Sequence, residues 1–488
     1  MPTILHVSDL HRAPDDPISN DELVSSLLRD LDRATREDPS VPMPDAIVAS
    51  GDIIQGVPLE TPNYRLELDR QYSVALAFLD ELARRLVGGD RSRVVITNGN
   101  HDVDWNTAFA AMTRVEPADE PPNVSDQLRR VDTPYRWCWR TRQIYRVADL
   151  DLYERRLEAF WDFHSRFYDG VPNLFRIYRG AEVNLFELFD RRVAVACFNS
   201  CHNNDCFALH GAIAPPAISR ACLDLDDSGP YDLRIAVWHH GLDGPPYQID
   251  YMDSELVRSM IGRGFRLGLH GHQHHSNVTP YSIQLPSLET MAVVSAGSLC
   301  AGRRDLPTGV HRQYNILEIR PDFLSARVHV REMTVGTNFG PSRRIIFGGQ
   351  SYIDVRWTAP VNAVGQEIDL TAQRTAIVLQ NAERALMAGD IPAAFSLLDT
   401  VRDRLPEHGR RLMTEAAVRL ENWELVASLT IDPKSIDELV VHVRANSELR
   451  RWGPARAALL KYSDPVGLPE AQRRELEARL AAEEAISS

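Results

Sequence analysis

The stretch Thr3–His11, with the sequence TILHVSDLH, decides the fold. Its first half is rich in aliphatic strand formers and carries little charge, which predicts a buried parallel strand. Asp9 and His11 follow at the carboxyl end of that strand, where parallel sheets gather their ligands. We therefore expect this strand to bring two metal-type ligands to the edge of a sheet.

Four further polar clusters follow in order along the chain. They are SGD at Ser50–Asp52, GNHD at Gly99–Asp102, WHH at Trp238–His240 and GHQHH at Gly271–His275. Each follows an apolar run, so each is expected at the carboxyl end of its own strand. A single D-x-H pair occurs often by chance, whereas an ordered series of such clusters indicates one shared site.

Strand and helix signals alternate over the first part of the chain. Amphipathic helical stretches begin near Asp21 and span about Leu66 to Leu86, between apolar runs. This order predicts parallel strands joined by right-handed crossovers. Further strands are predicted by the runs RRVAVACFNS, DLRIAVWHH and FRLGLHGHQHH. The later runs TMAVVSAG, QYNILEIRP and LSARVHVREM predict antiparallel strands that close a second sheet against the first.

Aromatic residues crowd the segment from about 105 to 192, which contains the helical-looking text LDLYERRLEAFWDFHSRFYDG. We interpret this segment as an aromatic-rich helical insertion. It is either a helical subdomain with a small core of its own or a lid that shapes the substrate pocket.

The chain from 361 to 488 is predicted to be helical to its end. Turn-like spots recur at Gly389-Asp390, Glu421-Asn422 and Arg451-Trp452-Gly453, and each is flanked by similar text. The spacing of roughly thirty residues is typical of tetratricopeptide-like helical hairpins, although a plain helical bundle is an alternative. A repeat stack would offer a surface for a protein partner or for self-association.

Composition sets outer limits on the function. The chain has 488 residues, which allows two or three domains, and a formal net charge of -14, which excludes a general polyanion binder. The six cysteines form no C-x-x-C pair, which indicates free thiols in a reducing compartment. We find no signal peptide and no apolar run of bilayer length, so we expect a cytoplasmic protein with no membrane partner.

In this order, D-x-H, GD, GNHD, a lone histidine and GH-x-H resemble the motifs of the calcineurin-like metallophosphoesterase superfamily. The motifs span about residues 3–275. The resemblance implies an α/β fold, a four-layer α/β/β/α sandwich within residues 1–360. The insertion and the all-α tail fall outside the common core of that superfamily.

The resemblance also implies two divalent metal ions, with Mn expected first and Fe, Zn, Co or Ni as alternatives. Imidazole, carboxylate and amide ligands suit such borderline metals better than Ca. Carried over position by position, the first ion would be bound by Asp9, His11 and His274, the second by Asn100, His239 and His272, and Asp52 would bridge both.

Two residues of the GNHD motif would take catalytic roles. His101 would stabilise charge in the transition state or protonate the leaving alcohol, and Asp102 would orient His101. Three further residues would lie behind the metal ligands or face the substrate, namely His240, His270 and Asn199.

These implications predict a phosphoesterase in which a metal-bridging hydroxide attacks phosphorus. We expect a phosphodiester of a nucleotide or nucleic acid as substrate, by a nuclease or cyclic-nucleotide phosphodiesterase type of activity, because the aromatic insertion could stack bases. One alternative is a phosphomonoesterase acting on a protein or small molecule. Another is an effector of a signalling or defence assembly that docks through the helical tail, and a third is an inactive scaffold.

Overall fold

The computed structural model describes residues 1–128, 130, 132–172, 175–242, 250–284, 288–302, 306, 310–334, 336–342, 350–358, 378–379, 382, 385–386, 389–405 and 407–487. The chain forms two compact units, of which the first comprises Met1–Ile283 with Leu288–Ala363 and the second lies mainly in Val364–Ser488. The domain boundary predicted at 360–361 lies outside the described residues.

The first unit is a sandwich of strands and helices. Its strands are β1 Thr3–Val7, β2 Ala46–Ser50, β3 Val94–Thr97, β4 Met112–Arg114, β5 Tyr135–Cys138, β6 Gln143–Val147, β7 Val183–Leu188, β8 Val193–Phe198, β9 Leu233–Val237, β10 Leu267–His270, β11 Asn277–Gln284, β12 Leu288–Ser295, β13 Gln313–Ile319, β14 Ser325–Met333, β15 Phe339–Pro341 and β16 Tyr352–Arg356. Its helices are α1 Asn20–Ala34, α2 Tyr64–Leu86, α3 Trp105–Ala110, α4 Val124–Leu128, α5 Leu150–Glu154, α6 Glu158–Phe167, α7 Pro215–Ser228 and α8 Ser254–Ile261.

Two sheets form the centre of this unit. The first has the order β15-β14-β13-β1-β2-β3, with β16 paired to β14, and the second has the order β11-β12-β10-β9-β8-β7. Strands β1, β2 and β3 are mutually parallel, as the alternation of strand and helix signals predicted. In the second sheet β8, β9, β10 and β12 are parallel, and β7 runs antiparallel to β8.

The predicted placement of the late strands was wrong for β13 and β14. Strand β12, from the run TMAVVSAG, lies between β11 and β10 and is parallel to β10. Strands β13 and β14 do not close the second sheet but extend the first, where Ile316 of β13 lies opposite Leu5 of β1. An apolar run indicates that a strand is buried. The partner and the direction of that strand are set by tertiary packing, which no local pattern encodes.

The hydrophobic core confirms the predicted four layers. One cluster of buried residues joins the two sheets to α1 and α2, and a second joins the second sheet to α7 and α8. Along β8, Val195 belongs to the first cluster, whereas Ala194 and Ala196 belong to the second, because successive side chains of a strand point to opposite faces. The order of layers is therefore helix, sheet, sheet, helix.

The insertion contains the predicted helices together with a small sheet that the sequence did not indicate. Strands β4, β6 and β5 form an antiparallel three-stranded sheet, and β7, within the predicted range 105–192, already belongs to the second main sheet. The long helix expected from LDLYERRLEAFWDFHSRFYDG is divided into α5 and α6 by the 3-10 turn Arg155–Leu157.

The subdomain interpretation captures only part of the packing of the insertion, and the lid interpretation stays a prediction. A small core of its own includes Ala108, Met112 and Tyr153, as expected for a subdomain. Helix α6, by contrast, belongs to the main core, where Phe163 stacks on Tyr72 of α2 with ring centroids 5.1 Å apart. The insertion is therefore anchored firmly in the sandwich.

The second unit is all-α in its described residues from Ile391 onwards. Its helices are α9 Ile391–Asp399, α10 Glu407–Arg419, α11 Trp423–Leu429, α12 Ile436–Glu448, α13 Trp452–Val466 and α14 Glu470–Ser487, with one short 3-10 turn at Arg402–Arg404.

One backbone conformation recurs at the predicted turns of this unit. A left-handed residue stands two positions before a helix start at Gly389, Glu421 and Arg450, with φ of 79°, 55° and 55°. At the first two of these sites an Asp390 or Asn422 side chain then caps the following helix. The tetratricopeptide-like identity of these hairpins stays a prediction.

Among the helices that the structure describes, none combines the length and the apolar character needed to cross a lipid bilayer.

Candidate metal centre

The five polar clusters converge at one edge of the sandwich because their strands are parallel and end together. Backbone hydrogen bonds hold the loops side by side: the Asp9 N–H donates to Gly51 O at 3.1 Å, and the His11 N–H donates to Asp52 O at 3.0 Å. In the second sheet the Gly271 N–H donates to His239 O at 3.1 Å. The loops that carry the candidate ligands are thus fixed relative to one another.

Five of the candidate ligands have left-handed backbone conformations. The φ angles are 51° at Asp9, 43° at His11, 50° at Asp52, 72° at His272 and 54° at His274. A non-glycine residue in this region costs on the order of 1–3 kcal/mol, and such residues cluster at functional sites. The backbone of these loops is therefore strained, and the strain allows the candidate ligands to point toward one another.

Two glycines of the motifs allow the loops to approach this closely. A Cβ atom at Gly99 would lie 2.2 Å from Oδ1 of Asp52, and one at Gly271 would lie 1.8 Å from Oγ of Ser8. Any side chain at either position would push the ligand loops apart.

The first group of candidate ligands consists of Asp9, His11, Asp52 and His274, whose donor atoms all lie within 4.8 Å of one another. Nε2 of His274 is 3.2 Å from Oδ1 of Asp9 and 3.2 Å from Nε2 of His11. Nε2 of His11 is 3.9 Å from Oδ2 of Asp52. The four side chains converge on one point.

The second group shares Asp52 with the first. Oδ1 of Asn100 lies 3.0 Å from Nε2 of His239 and 2.9 Å from Nδ1 of His272. Nε2 of His239 is in turn 3.1 Å from Oδ2 of Asp52. Because Asp52 contacts both groups, its carboxylate occupies the position of a ligand that two ions could share.

The chemistry of these residues fits a pair of divalent cations. Asp9 and Asp52 are buried, and within the described residues their ion-pair partners are imidazoles only, with no Arg or Lys side chain within reach. Burying two carboxylates so close together is costly unless cations compensate them. Imidazole, carboxylate and amide donors are ligands that Mn, Fe, Zn, Co and Ni accept.

The pKa values of these groups reflect the same environment. Burial lowers the pKa of His11 to about 3, so its imidazole is neutral and available as a ligand. Burial also disfavours the charged form of His239, but the carboxylate of Asp52 outweighs it and raises the pKa of His239 to about 9. Burial opposes ionisation of Asp52, yet the nearby His239 and His101 hold the pKa of its carboxyl well below its usual value.

His101 lies at the open side of the cluster, with its side chain 39 % exposed. Its ring is 4.5 Å from the ring of His11, and its Nε2 is 4.0 Å from Oδ2 of Asp52. Its Nδ1 lies 2.6 Å from the carbonyl oxygen of Gln55, which suits an N–H donor at that position. This arrangement leaves Nε2 as the ring atom that can exchange a proton with a bound substrate.

Asp102 does not make the predicted contact with His101. Its carboxylate accepts hydrogen bonds from the Gly99 N–H at 2.8 Å, the Ile53 N–H at 3.2 Å and the Tyr72 hydroxyl at 3.0 Å. The prediction was wrong because Nδ1 of His101 lies beside the backbone carbonyl oxygen of Gln55 instead. Burial and the charge of Asp52 raise the pKa of Asp102 to about 7. Asp102 therefore holds the loop backbone.

The three residues expected behind the ligands or facing substrate all lie behind. His240 is buried, and its Nδ1 is 2.9 Å from Oγ of Ser200, which also accepts the His239 N–H at 3.1 Å. His270 is buried and stacks on Trp238 with ring centroids 5.6 Å apart. These contacts position the ligand loops.

Asn199 is likewise engaged within the protein. Its Oδ1 accepts hydrogen bonds from Asn98 and from the Cys201 N–H, both at 2.9 Å, and its amide donates to Glu182 at 3.1 Å. It links the ends of β3 and β8, and both polar atoms of its side chain bond to neighbours within the protein.

Sequence reasoning missed Asp250. Its Oδ2 lies 3.3 Å from Nε2 of His272, the ring atom opposite the one that faces Asn100. A carboxylate in that position fixes the orientation of the imidazole. Asp250 belongs to none of the five motifs and follows no apolar run of the sequence, so the sequence contains no signal for it.

Residues 2–276 match the family described as calcineurin-like phosphoesterase. The chain belongs to this family. Members of the calcineurin-like phosphoesterase superfamily are metal-dependent phosphoesterases, in agreement with the ligand groups described above. A comparison with the sequences of curated proteins gave no match.

Solved structures similar to the chain include the three that follow. A structure of PhoD is 11 % identical over 78 % of each chain, with a TM-score of 0.40. The 5'-nucleotidase from Candida albicans is 11 % identical over 69 % of this chain and 52 % of its own, with a TM-score of 0.34. The calcineurin-like phosphoesterase YfkN from Bacillus subtilis is 11 % identical over 79 % of this chain and 98 % of its own, with a TM-score of 0.27.

Proposed function

We propose that this chain hydrolyses a phosphodiester of a nucleotide or nucleic acid with two divalent metal ions, for which Mn is the first choice. The observation that carries the proposal is the position of Asp52, whose carboxylate contacts both groups of candidate ligands. A carboxylate shared in this way is what a two-metal phosphoesterase requires.

Hydrolysis of a phosphate ester needs an activated water, neutralised phosphoryl oxygens and a proton for the leaving oxygen. Two divalent ions bound by the cluster would supply the first two. His101 suits the third role, because its Nδ1 is engaged by Gln55 O while its Nε2 lies beside the Asp52 carboxylate at the open side of the cluster. Asp102 keeps the loop of His101 in place through Gly99 and Ile53.

The insertion supports a nucleotide or nucleic acid as substrate. Its sheet carries Trp137 and Trp139, and the Trp139 side chain is 80 % exposed. An exposed indole gives a stacking surface for a base, whereas a protein phosphatase has no need of one. A base-bearing diester fits this surface better than a simple phosphate monoester does.

A substrate panel with Mn tests the proposal. Bis-p-nitrophenyl phosphate should be turned over faster than p-nitrophenyl phosphate, and a cyclic nucleotide, single-stranded DNA and RNA should follow as natural diesters. The His101→Gln variant should lose about 10²–10⁴-fold in diester turnover, because it removes the proton donor. His202→Gln, a matched change of a half-exposed histidine outside the cluster, should keep wild-type rates.

If only the monoester is turned over, the diester proposal is wrong and a phosphomonoesterase is the better assignment. If neither ester is turned over with Mn, Fe, Zn, Co or Ni, the enzymatic proposal itself is contradicted.

A second candidate is an effector role in which the tail docks a protein partner. The observation in its favour is the exposure of Ile431 and Leu460, which are 68 % and 73 % exposed in the second unit. Replacing both with Glu in the full-length chain should abolish self-association or co-purification of a partner and leave turnover unchanged. Identical assembly of the variant and the wild type would remove this candidate.

A further inference from the structure

The three-stranded sheet of the insertion has one aromatic and basic surface. Trp139 follows β5 at the hairpin turn and is the most exposed of the large apolar side chains that the structure describes, at 80 %. Trp137 packs edge-on against it, with ring centroids 5.8 Å apart. Tyr135 and Trp137 alternate along β5, so they share a face of the sheet. An aromatic row therefore runs along the outside of the hairpin.

Arginines accompany this row. Arg146 lies directly opposite Tyr135 in the β5–β6 ladder and shares its face, and Arg142 lies in the turn. Both are exposed, and in the described part of the chain neither has a carboxylate within ion-pair distance. Arg140 has only an exposed partner, Glu60, at 3.4 Å, and such surface pairs contribute little. Arginines without such partners beside the exposed Trp139 stand out in a chain with a net charge of -14.

The opposite face of the sheet holds this surface rigidly. Arg136 of β5 is buried, and its Nε donates to Oδ2 of Asp205 at 2.6 Å. The Tyr153 hydroxyl donates to the same oxygen at 2.7 Å and accepts from Arg136 at 3.0 Å. Next to Asp205, the amide of Asn204 lies 3.4 Å from Nε2 of His240. The hairpin is thus tied to the loops behind the metal ligands.

The hairpin turn also adjoins the rim that carries His101. Glu60, the partner of Arg140, donates its N–H to Oδ1 of Asn106 at 2.8 Å. Asn106 donates in turn to Pro58 O at 3.1 Å. This loop begins after Gln55, whose carbonyl accepts from His101. The hairpin turn at Arg140, the loop after Gln55 and the side chain of His101 therefore lie next to one another along this rim.

We propose that this aromatic and arginine surface, formed by Trp137, Trp139, Arg142 and Arg146, binds a single-stranded nucleic acid and directs one of its phosphodiesters to His101. The inference rests on the proposed function and narrows its substrate from a phosphodiester of any nucleotide or nucleic acid to a single-stranded nucleic acid. Bases of a single strand are free to stack on Trp139, whereas those of a duplex are already stacked on one another. Arginines spaced along the row match the repeated phosphates of a strand, which a cyclic mononucleotide lacks.

Binding and turnover with a labelled twenty-nucleotide dT strand and a matched rU strand test this inference. With EDTA present, fluorescence anisotropy reports binding without hydrolysis. Trp139→Ala should weaken binding by about tenfold, because one stacked base is lost, and Trp139→Phe should restore most of it. Leu150→Ala, a change of another exposed side chain of the insertion, should bind as the wild type does.

The role of Arg142 and Arg146 is tested separately, by the salt dependence of binding. The combined Arg142→Ala and Arg146→Ala variant should lower the slope of log affinity against log salt by about 1.4, because two phosphate contacts are lost at ~0.7 each. With Mn, all these variants should hydrolyse bis-p-nitrophenyl phosphate at wild-type rates, because that substrate does not reach along the hairpin.

The outcomes separate the inference from the proposed function. If the wild type hydrolyses the strands and the Trp139→Ala and arginine variants match it in affinity and salt slope, the surface inference is overturned and the proposed function stands. If the strands bind through Trp139 but no diester is hydrolysed with any metal, the proposed function fails and the binding surface stands.

Discussion

Two buried acidic clusters lie in the first unit, and they are compensated in opposite ways. Asp30 accepts from Nε and Nη2 of Arg331 at 2.8 and 2.7 Å and from the Tyr314 hydroxyl at 2.6 Å. Asp9 and Asp52, equally buried, face imidazoles and no arginine or lysine among the described residues. The first cluster is electrostatically complete within the chain, and the second is not.

This difference distinguishes a structural cluster from a functional one. A buried carboxylate with a guanidinium partner ties α1 to β14 and needs nothing from outside. Two carboxylates surrounded by imidazole and amide donors, on loops with left-handed residues, have instead the composition of a cation site. Changes in the second cluster should therefore affect activity and metal binding, whereas changes in the first should affect stability.

The largest effect is expected from Asp52→Asn. Diester turnover should fall by at least about 10⁴-fold, or ~5.5 kcal/mol, because the amide cannot bridge two ions as a carboxylate does. Retention of more than a tenth of the activity would contradict the bridging role.

Arg331→Met should have the reverse effect. The free energy of unfolding should fall by about 3–5 kcal/mol, because Asp30 and Glu37 lose their buried guanidinium partner and only the exposed Arg33 remains beside Asp30. The protein that remains folded should keep its metal content and its turnover per folded molecule. A variant with normal stability and lost activity would show that the two clusters are not separate.

Added metal should stabilise the wild type. At a free Mn concentration of one hundred times Kd, the free energy of unfolding should rise by about 2.7 kcal/mol above its value in EDTA. Arg331→Met should show the same increase from a lower baseline, while Asp9→Asn should show little of it. Thermal unfolding with and without Mn measures both, and equal gains in all three proteins would place the ions elsewhere.

The effect that is smallest within any one pH unit concerns His164, an uncompensated imidazole in the core of the first unit. Burial lowers the pKa of His164 from 6.5 to about 4, so protons bind the unfolded chain first as the pH falls. Its contribution to stability is complete above pH 6.5 and is lost toward pH 4, at about 1.4 kcal/mol per pH unit.

His164→Phe should remove this part of the pH dependence. Urea unfolding in EDTA at several pH values, compared between variant and wild type, isolates it from the imidazoles of the metal centre. Parallel curves for the two proteins would show that His164 is not buried as described.

Strand polarity explains why much of the centre could be predicted. An apolar run that ends in Asp9 or Asp52 places those carboxylates at one edge of a parallel sheet, whatever the rest of the chain does. The role of Asp102 could not be obtained in this way, because adjacent residues of a loop point in different directions and the pattern does not say which donors they meet. Asp250 reaches His272 from a segment without any motif.

The parts of the fold that escaped prediction depend on partners distant in sequence. Whether β13 lies beside β1 or in the second sheet is decided by packing across some three hundred residues, and its alternating apolar residues fit both. The insertion sheet was missed because its strands are short and each contains an Arg, so their pattern resembles that of the helices around them.

The most direct test of the two-metal centre is anomalous X-ray diffraction from crystals of the Mn-loaded protein. We expect two peaks on either side of the Asp52 carboxylate, ~3.5–4 Å apart, one beside Asp9, His11 and His274 and the other beside Asn100, His239 and His272. A map with no peak at Asp52, or with peaks only at other acidic groups, would contradict the account.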